Sequence, residues 1–131
     1  MYSMDKKTCF LLTVHGSAHT AAREGMVRFG RDLEAMQLGF PVRVCFLRMS
    51  EPSLADSMEI AAQEGYRRIV VLPLLVFSGQ HLAEEIPEII EKFKQRYPAV
   101  TASLQPPLAG TPSFLDWLSK ELISLSGLPT K

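Results

Sequence analysis

Two stretches of this chain are apolar almost without interruption, Cys9 to Val14 (CFLLTV) and Arg68 to Leu74 (RIVVLPL), and they leave few ways to fold. A strand with one wet face alternates apolar and polar residues, whereas a strand covered on both faces reads as a continuous apolar run, the pattern of parallel sheets in α/β folds. Parallel neighbours also need long crossover connections, usually helices, so each run should be followed by one. The intervening sequence supplies them. From Thr20 to Leu38 the residues Met26, Phe29, Leu33 and Met36 recur at helical spacing and make one helical stripe, with Gly39 as the stop. Pro41 to Leu47 (PVRVCFL) reads as a second strand, Arg43 marking an open face or an edge. Ser50 as N-cap and Pro52 as an early helical position then start a helix on Leu54, Met58 and Ala61, which Gly65 ends.

After the second apolar run, Leu82, Ile86, Ile89, Ile90, Phe93 and Tyr97 give a third helical stripe that Pro87 either begins or kinks. Val100 to Leu104 is a short edge strand closed by Gln105-Pro106-Pro107, and Thr111-Pro112 opens a last helix carrying Leu115, Leu118 and Leu122, frayed after Ser124. The order β-α-β-α-β-α-β-α predicts a three-layer α/β sandwich with a four-stranded, mostly parallel sheet, formed as a single domain over residues 1–131. A chain of 131 residues can bury a sizeable core without disulfide staples.

Charge and composition narrow the function. Fourteen basic residues balance fourteen acidic ones, so no net field steers the domain toward nucleic acid or an anionic membrane. The apolar region Ile69 to Phe77 is broken by Pro73 and far short of the roughly 20 residues that span a bilayer. The stretch after Lys6 and Lys7 is interrupted by His15 and Gly16 and reads as a core strand, not as a leader. Cys9 and Cys45 sit inside apolar runs without C-x-x-C spacing, as buried reduced thiols do, and point to the cytoplasm.

All strand-to-helix loops of a parallel sheet open on its carboxyl edge, where open α/β folds bind ligands. His15 follows the first strand and His81 follows the third, both expected in loops at that edge. Imidazole binds borderline divalent ions such as Co²⁺, Ni²⁺, Fe²⁺ or Zn²⁺, or accepts a proton near neutral pH. The plainer alternatives are a loop imidazole bonded to backbone for His15 and a helix-start residue packed on the sheet for His81. His19 reads as an exposed residue at the start of its helix. Glu84 and Glu85, one helical turn beyond His81, are placed to orient its ring or to act as ligands, or else form a solvated first turn favoured by the helix dipole. Ser17, near a helix N-terminus, can bind a carboxylate, and Ser78, Gly79 and Gln80 form a second polar loop. The chain lacks G-x-G-x-x-G and G-x-x-x-x-G-K-[ST], so no nucleotide is expected, and it lacks the G-x-S-x-G elbow of a hydrolase. Phe114 and Trp117 suit a core or dimer contact better than cofactor stacking.

Taken together, the apolar strand into His15-Gly16-Ser17, VRVCFL followed by Ser50-Glu51-Pro52-Ser53-Leu54, RRIVVLPLLVFSGQH ending at His81, EEIP at Glu84 to Pro87, and QPPLAGTPSF form an ordered set. In that set the chain resembles the small, single-domain sirohydrochlorin chelatases, the cobaltochelatase, ferrochelatase and nickelochelatase group, from about Phe10 to Leu122. The resemblance implies a chelatase-like fold and ATP-independent insertion of a divalent metal (Co²⁺ favoured, Fe²⁺ or Ni²⁺ as alternatives) into a sirohydrochlorin-type tetrapyrrole, in siroheme, cobalamin or related biosynthesis. It implies His15 and His81 as the metal-binding and catalytic histidines, and a homodimer that holds the tetrapyrrole between two lobes. Two departures stand out. Ala18 replaces an arginine or other polar residue, and Arg48 stands where many members carry a glutamate. Arg48 joins Ser17, Ser78, Gly79 and Gln80 as a candidate for the substrate's carboxylates, while Glu51, Glu84 or Glu85 are candidates to make good the missing acid. A non-catalytic metal or tetrapyrrole carrier is the alternative reading.

Overall fold

A computed structural model describes residues 8–77 and 79–129. The elements run β1 (Thr8–Val14), α1 (Thr20–Glu34), β2 (Val42–Phe46), α2 (Leu54–Gln63), β3 (Arg68–Pro73), α3 (Gln80–Arg96), β4 (Thr101–Leu104), a short 3₁₀ turn (Leu108–Gly110) and α4 (Pro112–Ser126). The strands form one sheet in the order β2-β1-β3-β4, and each neighbouring pair is parallel. The two apolar runs therefore occupy the central positions β1 and β3, where covering both faces removes the most apolar area from water.

Strand register sorts the side chains by face. Cys9, Leu11, Cys45, Ile69, Val71 and Ala102 point to one side and pack with Leu54, Met58 and Ala61 of α2 and Leu82, Ile86, Ile90 and Phe93 of α3. Leu12, Val14, Phe46 and Val70 are buried on the other side. Here α1 lies against β2, and a Cβ on Gly30 would come within 2.4 Å of Val44 Cγ2, so the glycine permits the close approach. Arg43, on edge strand β2, reaches Glu64 at 2.6 Å.

Several boundaries differ from the sequence expectation for identifiable reasons. Helix α1 ends before Leu38: Gln37 takes a positive φ of 53°, and Met36 and Leu38 find no buried surface to hold another turn. The N-cap of α2 is Ser53, not Ser50. Phe46 N–H donates to Pro52 O at 2.9 Å and keeps the chain extended, Ser53 Oγ accepts from Asp56 N–H, and Ser50 instead donates to Ser17 O at 3.2 Å. Pro87 neither starts α3 nor ends it; it sits inside the helix on an exposed face, where losing one backbone donor costs least. Helix α4 runs through Ser126 to a left-handed cap at Gly127, so it does not fray at Ser124. The apolar stripes of α1 and α4 contribute no buried residue. Among the described residues no helix is long and apolar enough to cross a membrane.

Candidate functional site

The carboxyl edge is built by backbone hydrogen bonds that tie three chain segments together. Thr13 pairs with Pro73, and Leu74 N–H donates to Thr13 O at 2.8 Å, so β1 and β3 end side by side. On the other flank Leu47 N–H donates to Val14 O and Arg48 N–H to His15 O, each at 3.0 Å, which continues the β1-β2 contact beyond the strands. Gly16 completes the join. Its φ is +99°, and a Cβ there would lie 1.8 Å from the Arg48 carbonyl oxygen, so the HGS turn has room for glycine alone.

His15 leaves β1 directly and is exposed, with Nδ1 3.3 Å from Gly16 O. In the tautomer that carries its proton on Nδ1, that contact leaves the Nε2 lone pair free for a metal or a proton. His81 is not in a loop as expected. It is a first-turn residue of α3, because the helix begins at Gln80 with Gly79 as N-cap. Ser78 and the side chain of His81 lie outside the described residues. Gly79 and Gln80 are exposed at the same helix start.

The third segment enters through an ion pair that crosses from the loop after β2 to α3. Arg48 Nη2 stands 2.8 Å from Glu85 Oε1, and Glu85 lies one helical turn beyond His81. Glu84 is exposed on the same helix. Ser17 belongs to the same edge; its Oγ accepts from His19 N–H at 3.0 Å, and His19 is the exposed N-cap of α1. Glu51 is turned elsewhere. It lines a cavity of about 500 Å³ with Arg23, Glu24, Val27, Arg28 and Arg31 of α1. Among the described residues no three histidine, cysteine or acidic groups stand together as a metal site. Neither cysteine compensates: both are buried and free, and burial pushes the Cys45 thiol up to about 11, so it stays neutral near pH 7.

Sequence reasoning singled out Arg48 and Glu85 separately and missed that they pair, since no local spacing relates residues on different elements. It also missed the arginine side of α1, where Arg23 and Arg31 are about two helical turns apart on one face; that spacing was available. Phe114 and Trp117 stack at 5.8 Å on α4, with Trp117 more than half exposed.

Comparison with known proteins identifies the family. The CbiX family model matches residues 9–125. The chain is 32% identical over 98 residues to a sirohydrochlorin ferrochelatase of Priestia megaterium, covering 74% of this chain and 36% of that protein. It is 31% identical over 80 residues to a sirohydrochlorin cobaltochelatase of Methanothermobacter thermautotrophicus, covering 61% of this chain and 55% of the other. Among solved structures, the sirohydrochlorin chelatase SirB from Bacillus subtilis subspecies spizizenii in complex with cobalt superposes with a TM-score of 0.71 at 30% identity, over 78% of this chain and 44% of that one. The chain thus spans well under two thirds of the length of each of these relatives.

Proposed function

Since the chain belongs to the CbiX family of sirohydrochlorin chelatases, we propose that it inserts a divalent metal into sirohydrochlorin without ATP. The observation that carries this reading is the shared edge: His15 at the exit of β1 and His81 in the first turn after β3, on neighbouring strands that end in register, in a chain matched over residues 9–125. Insertion removes two pyrrolic protons from a planar macrocycle while the metal exchanges water for four ring nitrogens. His15 and His81 hold the incoming ion, and one of them accepts a proton, directly or through water. Two imidazoles without a carboxylate bound beside them hold metal weakly, which suits a protein that gives its metal away. Ser17, Gly79, Gln80 and Arg48, with Ser78 beside them in sequence, are the proposed partners of the macrocycle's carboxylates, and Glu84 and Glu85 on α3 are the proposed supporting acids, Glu51 lying with α1 instead.

Co²⁺ is the favoured metal in this proposal, with Fe²⁺ and Ni²⁺ as alternatives. Relatives named for iron and relatives named for cobalt both match the chain, and imidazole ligands accept all three ions. We further propose that residues 1–131 act as one lobe and pair with a second copy, the tetrapyrrole lying between them. The exposed apolar residues of α1 and α4 support a partner surface, and the chain covers 44% of the SirB structure, about one of two lobes. Buried, unbridged thiols fit a reducing compartment, and the cytoplasm is the proposed location. The test is anaerobic absorption spectroscopy of sirohydrochlorin with Co²⁺, Fe²⁺ or Ni²⁺ and catalytic amounts of protein. Multiple turnover that His15→Ala and His81→Ala each reduce by at least about a hundredfold is expected, as for loss of an acid-base group; undiminished insertion by both variants at limiting metal sinks the assignment.

The Arg48–Glu85 pair favours a second reading, because it engages a nearby acid in an ion pair. Tight spectral binding of sirohydrochlorin with no turnover is the outcome that makes the protein a carrier.

A further inference from the structure

Arg48 brings a full positive charge to the edge that holds His15, and that charge is already matched. The guanidinium stands 2.8 Å from Glu85, while the Arg48 backbone N–H is fixed 3.0 Å from His15 O. Both side chains remain partly open, 45% for Arg48 and 37% for Glu85, so an anion arriving from solvent can reach the pair. A guanidinium presents a planar fork of donors suited to carboxylates, and the bond to Glu85 engages only one of its terminal nitrogens. Exchanging one carboxylate for another at such a group conserves charge and hydrogen-bond type, so the net free-energy change is small and either partner can win.

We propose that Arg48 is a carboxylate receptor occupied by Glu85 in the free protein, and that a carboxylate of the tetrapyrrole displaces Glu85, freeing it one helical turn from His81 to attract the incoming metal. This inference rests on the chelatase reading above. It assigns the pair a role that neither residue has alone, and it orders the reaction. Before exchange, a divalent ion meets a guanidinium that repels it and an acid that is engaged elsewhere. After exchange, the substrate neutralises Arg48, and Glu85 carries an uncompensated negative charge beside the proposed ligands. The macrocycle therefore binds first and the metal second. No proton or covalent bond moves in the exchange itself.

The experiment titrates metal-free sirohydrochlorin into the wild-type protein, Glu85→Gln, Arg48→Ala and the double variant, following absorption or fluorescence, and then measures insertion of Co²⁺ under anaerobic conditions. Glu85→Gln removes the internal competitor without changing its size, and it is expected to tighten macrocycle binding about two- to fivefold, the range for a partly exposed ion pair. Arg48→Ala weakens binding, and the gain from Glu85→Gln disappears in its background. In turnover Glu85→Gln acts with the opposite sign, raising the KM for Co²⁺ by about the same factor. Unchanged or weaker macrocycle binding in Glu85→Gln overturns the proposal, as does a gain that persists without Arg48, or an unchanged KM for Co²⁺. If the wild type metallates sirohydrochlorin while the variants give these results, the exchange alone is wrong; if the wild type neither binds nor metallates it, the chelatase reading falls too.

Discussion

The helices of this protein fall into two kinds. Leu54, Met58 and Ala61 of α2 and Leu82, Ile86, Ile90 and Phe93 of α3 close on the sheet as a core complete within one chain. Helices α1 and α4 have apolar stripes of comparable promise, yet none of their residues is buried, and Phe29, Leu115, Trp117 and Leu122 stand at least half exposed. Apolar side chains are buried where a second surface meets them, and the stripe alone does not supply that surface. Helices α2 and α3 close their apolar stripes within the chain, while α1 and α4 leave much of theirs open.

Substitutions break or sharpen that contrast. Met58→Ala empties a fully buried site between α2 and the sheet and is expected to cost about 2–5 kcal/mol in urea unfolding. Gly30→Ala tests a close approach of α1 to the sheet, because the added methyl group meets Val44. About 1–3 kcal/mol of destabilisation is expected despite the better helix propensity of alanine, and Val44→Ala should make the double variant less costly than the sum of the single ones. Leu122→Ser on α4 should change the stability of the isolated chain by no more than about 0.5 kcal/mol. Under the proposed pairing of two copies its effect is on mass, shifting sedimentation toward a single copy at micromolar protein. An unfolding cost for Leu122→Ser equal to that of Met58→Ala would erase the distinction.

Much of this was legible in the sequence. The unbroken apolar runs identified β1 and β3 as strands covered on both faces, and Arg43 marked β2 as having an open face or lying at an edge, of which the sheet order bears out the edge. The position of His15 at the end of a strand followed from that pattern, as did the buried state of Cys9 and Cys45. The placement of His81 was less well read. Glycine at residue 79 suggested a loop, but the chain uses it as the N-cap of α3 and puts the histidine in the first helical turn. Ser50 was misread for a related reason: it has the composition of a cap, but a tertiary bond from Phe46 to Pro52 delays the helix until Ser53 provides one.

By itself, the sequence determined the α/β order, the two central strands and the edge at which the chemistry-bearing loops gather, because hydrophobic periodicity is a local record of which faces must leave water. Only the tertiary structure decided that Gly16 is wedged against the Arg48 carbonyl, that Arg48 pairs with Glu85, and that Glu51 lines a cavity together with arginines of α1. These arrangements join residues on different elements, and their energies depend on distances of a few ångströms that no spacing along the chain encodes. The same limit applies to burial: a helical stripe states that a helix has an apolar face, and packing in three dimensions decides whether this chain covers it.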